Sequence, residues 1–401
     1  MRESRLRASA RRLDAATPPT RDRATDALRA FAILGVVLGH WLVTALVADG
    51  GTLRTVSPLR YQPWLAPVSW VFQTLAVFFL VGGHVATNSW ASAQARGIAY
   101  RGWLHARMSR LLTPVAALLG LWTAVSLTLL LTGADFDTIH TLLNLALSPL
   151  WFLLVFAGLT AATPLVARMN PLWPLAVVLH VDLIRFGLGG PAWPGWINVA
   201  AGWLVPYTLG AAWTRGELTR RAGLVLVIGG VVATAGLVTL AGYPASMVGV
   251  PGAGVSNLNP PTLAAVTFGL AQCGLALLLR EPLRRLMRRP AAWAAVALVN
   301  LSAMTVFLWH QTALMAVTAL GLTVGRLPGL HTVPSELSWL PLRVVWLPVF
   351  GLALAVCWAA FHGYERGGHT RGGGAGLRRH SRVLRVRRRP ETVDDGMARH
   401  A

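Results

Sequence analysis

The chain has 401 residues, of which 54% are hydrophobic and only 13% charged, with a formal charge of +21. A soluble domain has about a quarter of its residues charged, so this composition excludes one; the basic residues, all arginine, sit in short loops between long apolar runs rather than beside aromatics on soluble faces, which argues against nucleic acid. Cys273 and Cys357 both fall inside apolar runs and offer neither a disulfide framework nor metal-ligand spacing.

Residues 1–25 read as a retained, Arg-rich cytoplasmic tail ahead of a signal anchor, because no small-residue cleavage site follows the first apolar run. Each crossing of hydrocarbon needs roughly 20 apolar residues with every backbone polar group satisfied inside the segment. Ten stretches qualify: 27–48, 68–90, 111–132, 146–166, 172–188, 195–213, 222–241, 261–279, 292–320 and 342–362. The expected fold is all-α, a polytopic membrane helix bundle of about ten transmembrane helices, forming one domain over 26–362. With the N-terminus inside, all 36 arginines fall on the cytoplasmic side except Arg54, Arg60, Arg185, Arg326 and Arg343. That asymmetry places both termini in the cytoplasm; the expected location is the cell inner (plasma) membrane. Residues 363–401, rich in Gly and Arg, are expected to form a disordered tail near the anionic inner leaflet. No internal repeat suggests the paired halves of a secondary transporter.

Titratable groups at membrane depth are costly and therefore functional candidates. Arg29 and His40 are eleven residues apart, about 1100° of helical rotation, so both face one side of the first helix with a rise of roughly 16 Å between them. Taken singly, Arg29 reads as a snorkelling anchor and His40 as a packing residue; the pair favours function. Arg107 and Arg110, three apart before the third helix, share a face on a helical turn and can clamp phosphates with their forked donors, against a plain anchoring role. His84 and His310 also lie at depth and offer neutral imidazoles for acid or base chemistry, although each alone is more often a packing histidine. Asp182 and Arg185 are spaced for an ion pair within the fifth segment. Asn257, Asn259, Pro260 and Pro261 read as an outer turn and helix start.

These residues resemble the bacterial acyltransferase family 3, membrane proteins that O-acylate carbohydrates and other acceptors. Arg29 and His40 match its Arg-x10-His signature, and Phe78, Phe79, Leu80, Val81, Gly82 and Gly83 its second helix. Arg107 and Arg110 match its Arg-x-x-Arg element, followed by Leu111 to Pro114; Leu150 to Leu153 and Phe307 to His310 complete the order. One departure is visible: where the family often carries Ser-Gly-Phe, this chain has Gly82-Gly83-His84.

The resemblance implies catalysis by His40 and Arg29; His310 and His84, imidazoles at membrane depth, are further catalytic candidates. It also implies acyl-coenzyme A as the donor substrate, its phosphates held by Arg107, Arg110 and Arg29. The partners expected are acyl-coenzyme A, a hydroxylated acceptor (carbohydrate, lipid or metabolite) and membrane lipids, with no nucleic acid, no bound cofactor and no metal. His40 acts there either as general base or as a transient acyl carrier. The rival reading is a transporter or lipid flippase that uses His40, His84, Asp182 and Arg185 as a path.

Overall fold

The computed structural model describes residues 2–50 and 52–366. The chain is 74% helical with almost no sheet, the all-α bundle that the apolar runs imply. Among the described residues, seven helices are long and apolar enough to cross a membrane. The N-terminal segment is itself a helix, α1 (Arg2–Ala15). Leu13, near its end, packs with Ala27, Met287 and Trp293.

The helix α2 (Arg23–Val43) begins at Asp22, whose carboxylate accepts from the Ala24 and Thr25 amides at 3.2 Å and from Arg280 at 3.0 Å. Burial opposes the charge on Asp22, but the Thr25 amide and Arg280 outweigh it and hold the carboxyl below its ordinary range. The cap therefore stays ionised near neutral pH, and its contribution is lost only as pH falls through that depressed value. At the other end α2 stops earlier than the apolar run 27–48 suggests. Thr44 turns extended (φ −107°, ψ 114°), and a hairpin of β1 (Ala45–Asp49) and β2 (Thr52–Val56) follows, pairing Ala45 with Val56 and Asp49 with Thr52. Gly50 at the tip has φ +56°, which suits a two-residue turn.

The next helices are α3 (Leu75–Ala95), α4 (Tyr100–Leu131), α5 (Phe136–Ala161), α6 (Leu172–Asp182), α7 (Ile197–Thr214), α8 (Arg220–Thr239) and α9 (Leu263–Leu286). α4 begins well before residue 111, so Arg107 and Arg110 stand on a helix rather than in a loop. The apolar stretch 172–188 is not one regular helix, since α6 gives way to a π-helical turn over Leu183–Gly187. The stretch 292–320 is likewise two helices, α10 (Pro290–Leu301) and α11 (Ala303–Leu322), broken at Ser302 (φ −114°, ψ 11°). Last comes α12 (Trp339–Arg366), which carries the fold four residues beyond the expected boundary at 362. The rest of the expected basic tail, 367–401, lies outside the described residues.

Close helix contacts rest on small residues, as they do where lipid supplies no hydrophobic drive between helices. A Cβ on Gly83 would lie 2.0 Å from the Tyr207 carbonyl oxygen, and one on Gly210 2.0 Å from that of Leu80. α3 and α7 thus touch backbone to backbone. Alanine at Gly83 or Gly210 should force them apart and cost about 1–3 kcal/mol, whereas alanine at Gly120, with nothing within 4 Å, should be neutral. Thermal unfolding of the detergent-solubilised variants checks this; equal midpoints for all three would contradict the contact.

Candidate active site

One stripe of α2 organises the interior. Arg29 and Ile33 line a cavity of about 670 Å³, while Val36, Gly39, His40 and Val43 line a second of about 350 Å³. These positions recur at helical spacing, so the face that spacing assigns to Arg29 and His40 is the face that looks into both spaces. Phe152 and Phe307 line both cavities, with ring centroids 5.3 Å apart. The Leu150–Leu153 element and the start of the Phe307–His310 element therefore form the partition.

The larger cavity has a basic end and an apolar body. Arg29, Arg107 and Arg110 contribute guanidinium groups, and Phe78, Leu111, Phe156 and Met304 apolar wall. Arg29 is held in place: its Nε donates to Asn300 Oδ1 at 2.5 Å and its Nη2 to Asp26 Oδ1 at 3.1 Å. Asn300 in turn donates to the Asp26 carbonyl at 2.8 Å. Asn300, Leu301, Ala303 and Met304 flank the break at Ser302 and all line this cavity, so the interrupted helix shapes its wall. Gly82 lines it too; a Cβ there would sit 2.3 Å from the Phe156 ring. The serine that the family often carries does not fit this arrangement unless Phe156 moves.

The smaller cavity opens between the hairpin (Thr55, Val56), α5 and the 248–259 loop, and includes Asn259. The outer turn read around Asn257 is a hydrogen-bonded platform: Asn257 Nδ2 donates to the Ser246 carbonyl at 3.0 Å and Thr262 Oγ1 to Asn257 Oδ1 at 2.6 Å. His40 projects into this space from α2, with Nδ1 3.0 Å from the Gln311 amide nitrogen. His310 stands beside it, ring centroids 5.1 Å apart, and donates through Nδ1 to the Phe307 carbonyl at 2.6 Å. His310 is fully buried and is not part of either cavity wall.

His84 is not brought to this site. Its Nδ1 pairs with Thr214 Oγ1 at 2.9 Å, its Nε2 with Asn88 at 3.2 Å, and its ring stacks on Trp213 at 4.1 Å. Asp182 is also closed off, accepting from Asn198, Tyr243 and the Leu263 amide, with Arg185 3.7 Å away. Among the described residues, His40, His84 and Asp182 make no hydrogen bond to one another. No group of three or more His, Cys, Asp or Glu fit for a metal occurs among the described residues.

Arg343, counted on the outer side from the sequence, is fully buried. Its Nε donates to the Trp41 carbonyl at 2.7 Å, Nη2 to that of Thr44 at 2.6 Å and Nη1 to that of Gly329 at 3.2 Å, while its guanidinium lies over the Phe350 ring at 4.6 Å. It therefore fixes the turn of α2 that carries His40. Because these partners are backbone carbonyls, no side-chain pattern marks the role. Arg343→Met should leave three buried carbonyls unsatisfied at about 1–3 kcal/mol each, and Arg343→Lys should not rescue it, since one ammonium lacks the planar fork. Unfolding midpoints in detergent check this; a stable Arg343→Met protein would contradict it.

A family model for the acyltransferase domain, acyltransferase family 3, matches residues 22–362, from the α2 cap to near the end of α12. Neither curated proteins nor solved structures give a match. The family match takes in both cavities and every residue of the α2 stripe. The chain therefore belongs to acyltransferase family 3 and is a membrane acyltransferase enzyme.

Proposed function

We propose that the chain is an O-acyltransferase that takes an acyl group from acyl-coenzyme A at the cytoplasmic end of the bundle. It passes that group to a hydroxyl of a carbohydrate, lipid or metabolite acceptor at the opposite end. The observation that carries this reading is the single α2 face joining Arg29, in the wall of the larger cavity, to His40, in the wall of the smaller one. A basic mouth with an apolar body suits a ligand that is phosphate at one end and hydrocarbon at the other. The two termini and the arginine-rich loops lie in the cytoplasm of the cell inner membrane on this reading, with about ten crossings.

In the reaction Arg29, Arg107 and Arg110 hold the donor phosphates, and the thin arm of coenzyme A runs along α2 towards Phe152 and Phe307. The acceptor hydroxyl enters the smaller cavity and gives its proton to His40. Its oxygen then attacks the thioester carbonyl and forms the new ester bond as the carbon–sulfur bond breaks. The departing thiolate takes the proton back from the imidazolium, which leaves free coenzyme A and a neutral His40. A transport path through His84 and Asp182 has no such support, since both are sequestered by their own partners.

The roles separate kinetically. With acetyl-coenzyme A and membranes that supply the acceptor, free thiol and acylated product are measured at matched protein abundance. Arg107→Ala with Arg110→Ala should raise the donor KM at least about tenfold, because charge-assisted contacts contribute on the order of 1.5–3 kcal/mol each. His40→Gln should lower kcat about 10²-fold or more with donor KM preserved, since an amide cannot cycle a proton near neutral pH. Near wild-type turnover by His40→Gln removes the base, and an unchanged donor KM in the double variant removes the phosphate clamp.

A further inference from the structure

We infer that Gln311 is a positioning residue for His40: its side-chain carbonyl accepts the Nδ1 proton of the imidazole and so reserves Nε2 for the acceptor hydroxyl. The inference rests on the base role proposed above for His40. Gln311 is fully buried on α11; as placed, its amide nitrogen lies 3.0 Å from His40 Nδ1 and its Oε1 has no hydrogen-bond partner. Among the described residues Gln311 is the one hydrogen-bond partner of His40 Nδ1, and His40 Nε2 makes no hydrogen bond to them. The assignment of the two nitrogens, one held and one for substrate, therefore follows from the packing of α2 against α11.

Which end of the amide faces the ring follows from proton bookkeeping. An imidazole that takes a proton at Nε2 carries hydrogen on Nδ1 both before and after the transfer. An amide NH₂ against Nδ1 would hold the ring in the opposite tautomer, with hydrogen on Nε2 and no lone pair there to receive a proton. The amide carbonyl serves both states of the base and stabilises the imidazolium. Gln311 Oε1 is buried with no hydrogen-bond partner as placed, and a half-turn of the amide, which exchanges it with Nε2, brings it to Nδ1. The backbone around Gln311 is pinned as well. Trp41, the residue after His40, donates its indole N–H to the His310 carbonyl at 2.9 Å, and His310 Nδ1 donates to the Phe307 carbonyl. The Trp41 bond sets the register of α11 against α2 that places the amide on the ring, and the His310 bond, within α11, holds that turn.

The test combines the tautomer with the pH profile on the purified full chain. Nitrogen-15 spectra of histidine-labelled protein, with the His40 signals identified by their loss in His40→Gln, should show Nδ1 protonated and Nε2 unprotonated at neutral pH. Gln311→Leu should shift His40 towards the Nε2-protonated form and lower kcat at least tenfold with donor KM unchanged. It should also move the acid limb of the kcat profile to lower pH, because the imidazolium loses its acceptor. Gln311→Glu should keep measurable turnover with the acid limb moved to higher pH, because a carboxylate beside the ring favours the imidazolium. A merely structural Gln311 would leave both limbs in place. His40 protonated on Nε2 in the wild-type protein, or wild-type kcat and pH profile in Gln311→Leu, overturns the inference. If Gln311→Leu does not insert, the wild-type spectrum and the Gln311→Glu profile still decide it. Retained turnover in His40→Gln would instead sink the base role itself, while the spectra would still report the pairing.

Discussion

An α-helix ends with carbonyls that have no intrahelical donor, and inside a bundle of apolar helices no water takes their place. For α2 the donor is Arg343, from the last helix of the bundle, which binds the Trp41 and Thr44 carbonyls. The opposite end is set by Asp22, capping the first turn and paired with Arg280. α2 is thus a rod fixed at both ends by late arginines, and it carries both Arg29 and His40. The hairpin after it starts where Arg343 stops the helix, so the smaller cavity inherits its wall from the same interaction.

The rod matters because two spaces of different character open onto it. The larger has guanidinium groups at one end and aromatic or aliphatic wall along its length; the smaller is shaped by the hairpin and the 248–259 loop. Phe152 and Phe307 stand between them, and Phe78, Phe79 and Phe156 pack behind Phe152 at edge or stacking distances. Aromatic rings are suited to such a partition, since they exclude water while keeping defined contacts with one another. The proposed joining of a phosphate-bearing donor to a hydroxyl acceptor calls for two spaces that meet at one point, and the two cavities share Phe152 and Phe307 as common wall.

Much of this was legible in the sequence because hydrocarbon imposes length and helical periodicity. Each of the ten apolar stretches is helical over most of its length, and the eleven-residue interval between Arg29 and His40 placed them on one face by arithmetic alone. The breaks were not legible. Each break carries only isolated polar residues within an apolar stretch, Asn300 and Ser302 at one and Asp182 and Arg185 at the other, and hydropathy does not register a change in backbone dihedrals. The hairpin was hidden at the end of the first apolar run, although Asp49-Gly50-Gly51 is a turn signal that outweighs hydropathy there. His84 resembled a site residue because a histidine at depth looks the same whether its nitrogens are free or spent, and only the packing of α3 on α7 brings Thr214 to it. Arg343 and Gln311 act through groups remote in sequence, a backbone carbonyl and a ring on another helix, which no local motif records.

The account turns on the larger cavity being the donor site, and photo-crosslinking tests that directly without knowledge of the acceptor. A photoreactive acyl-coenzyme A, applied to the membrane-embedded protein with and without excess unlabelled acetyl-coenzyme A, is followed by peptide mass spectrometry. Competable label on the α2 segment around Arg29–Ile33 and the α4 segment around Arg107–Leu111 is the predicted result. Competable label on the 248–259 loop or the hairpin, with none on those two segments, would contradict it.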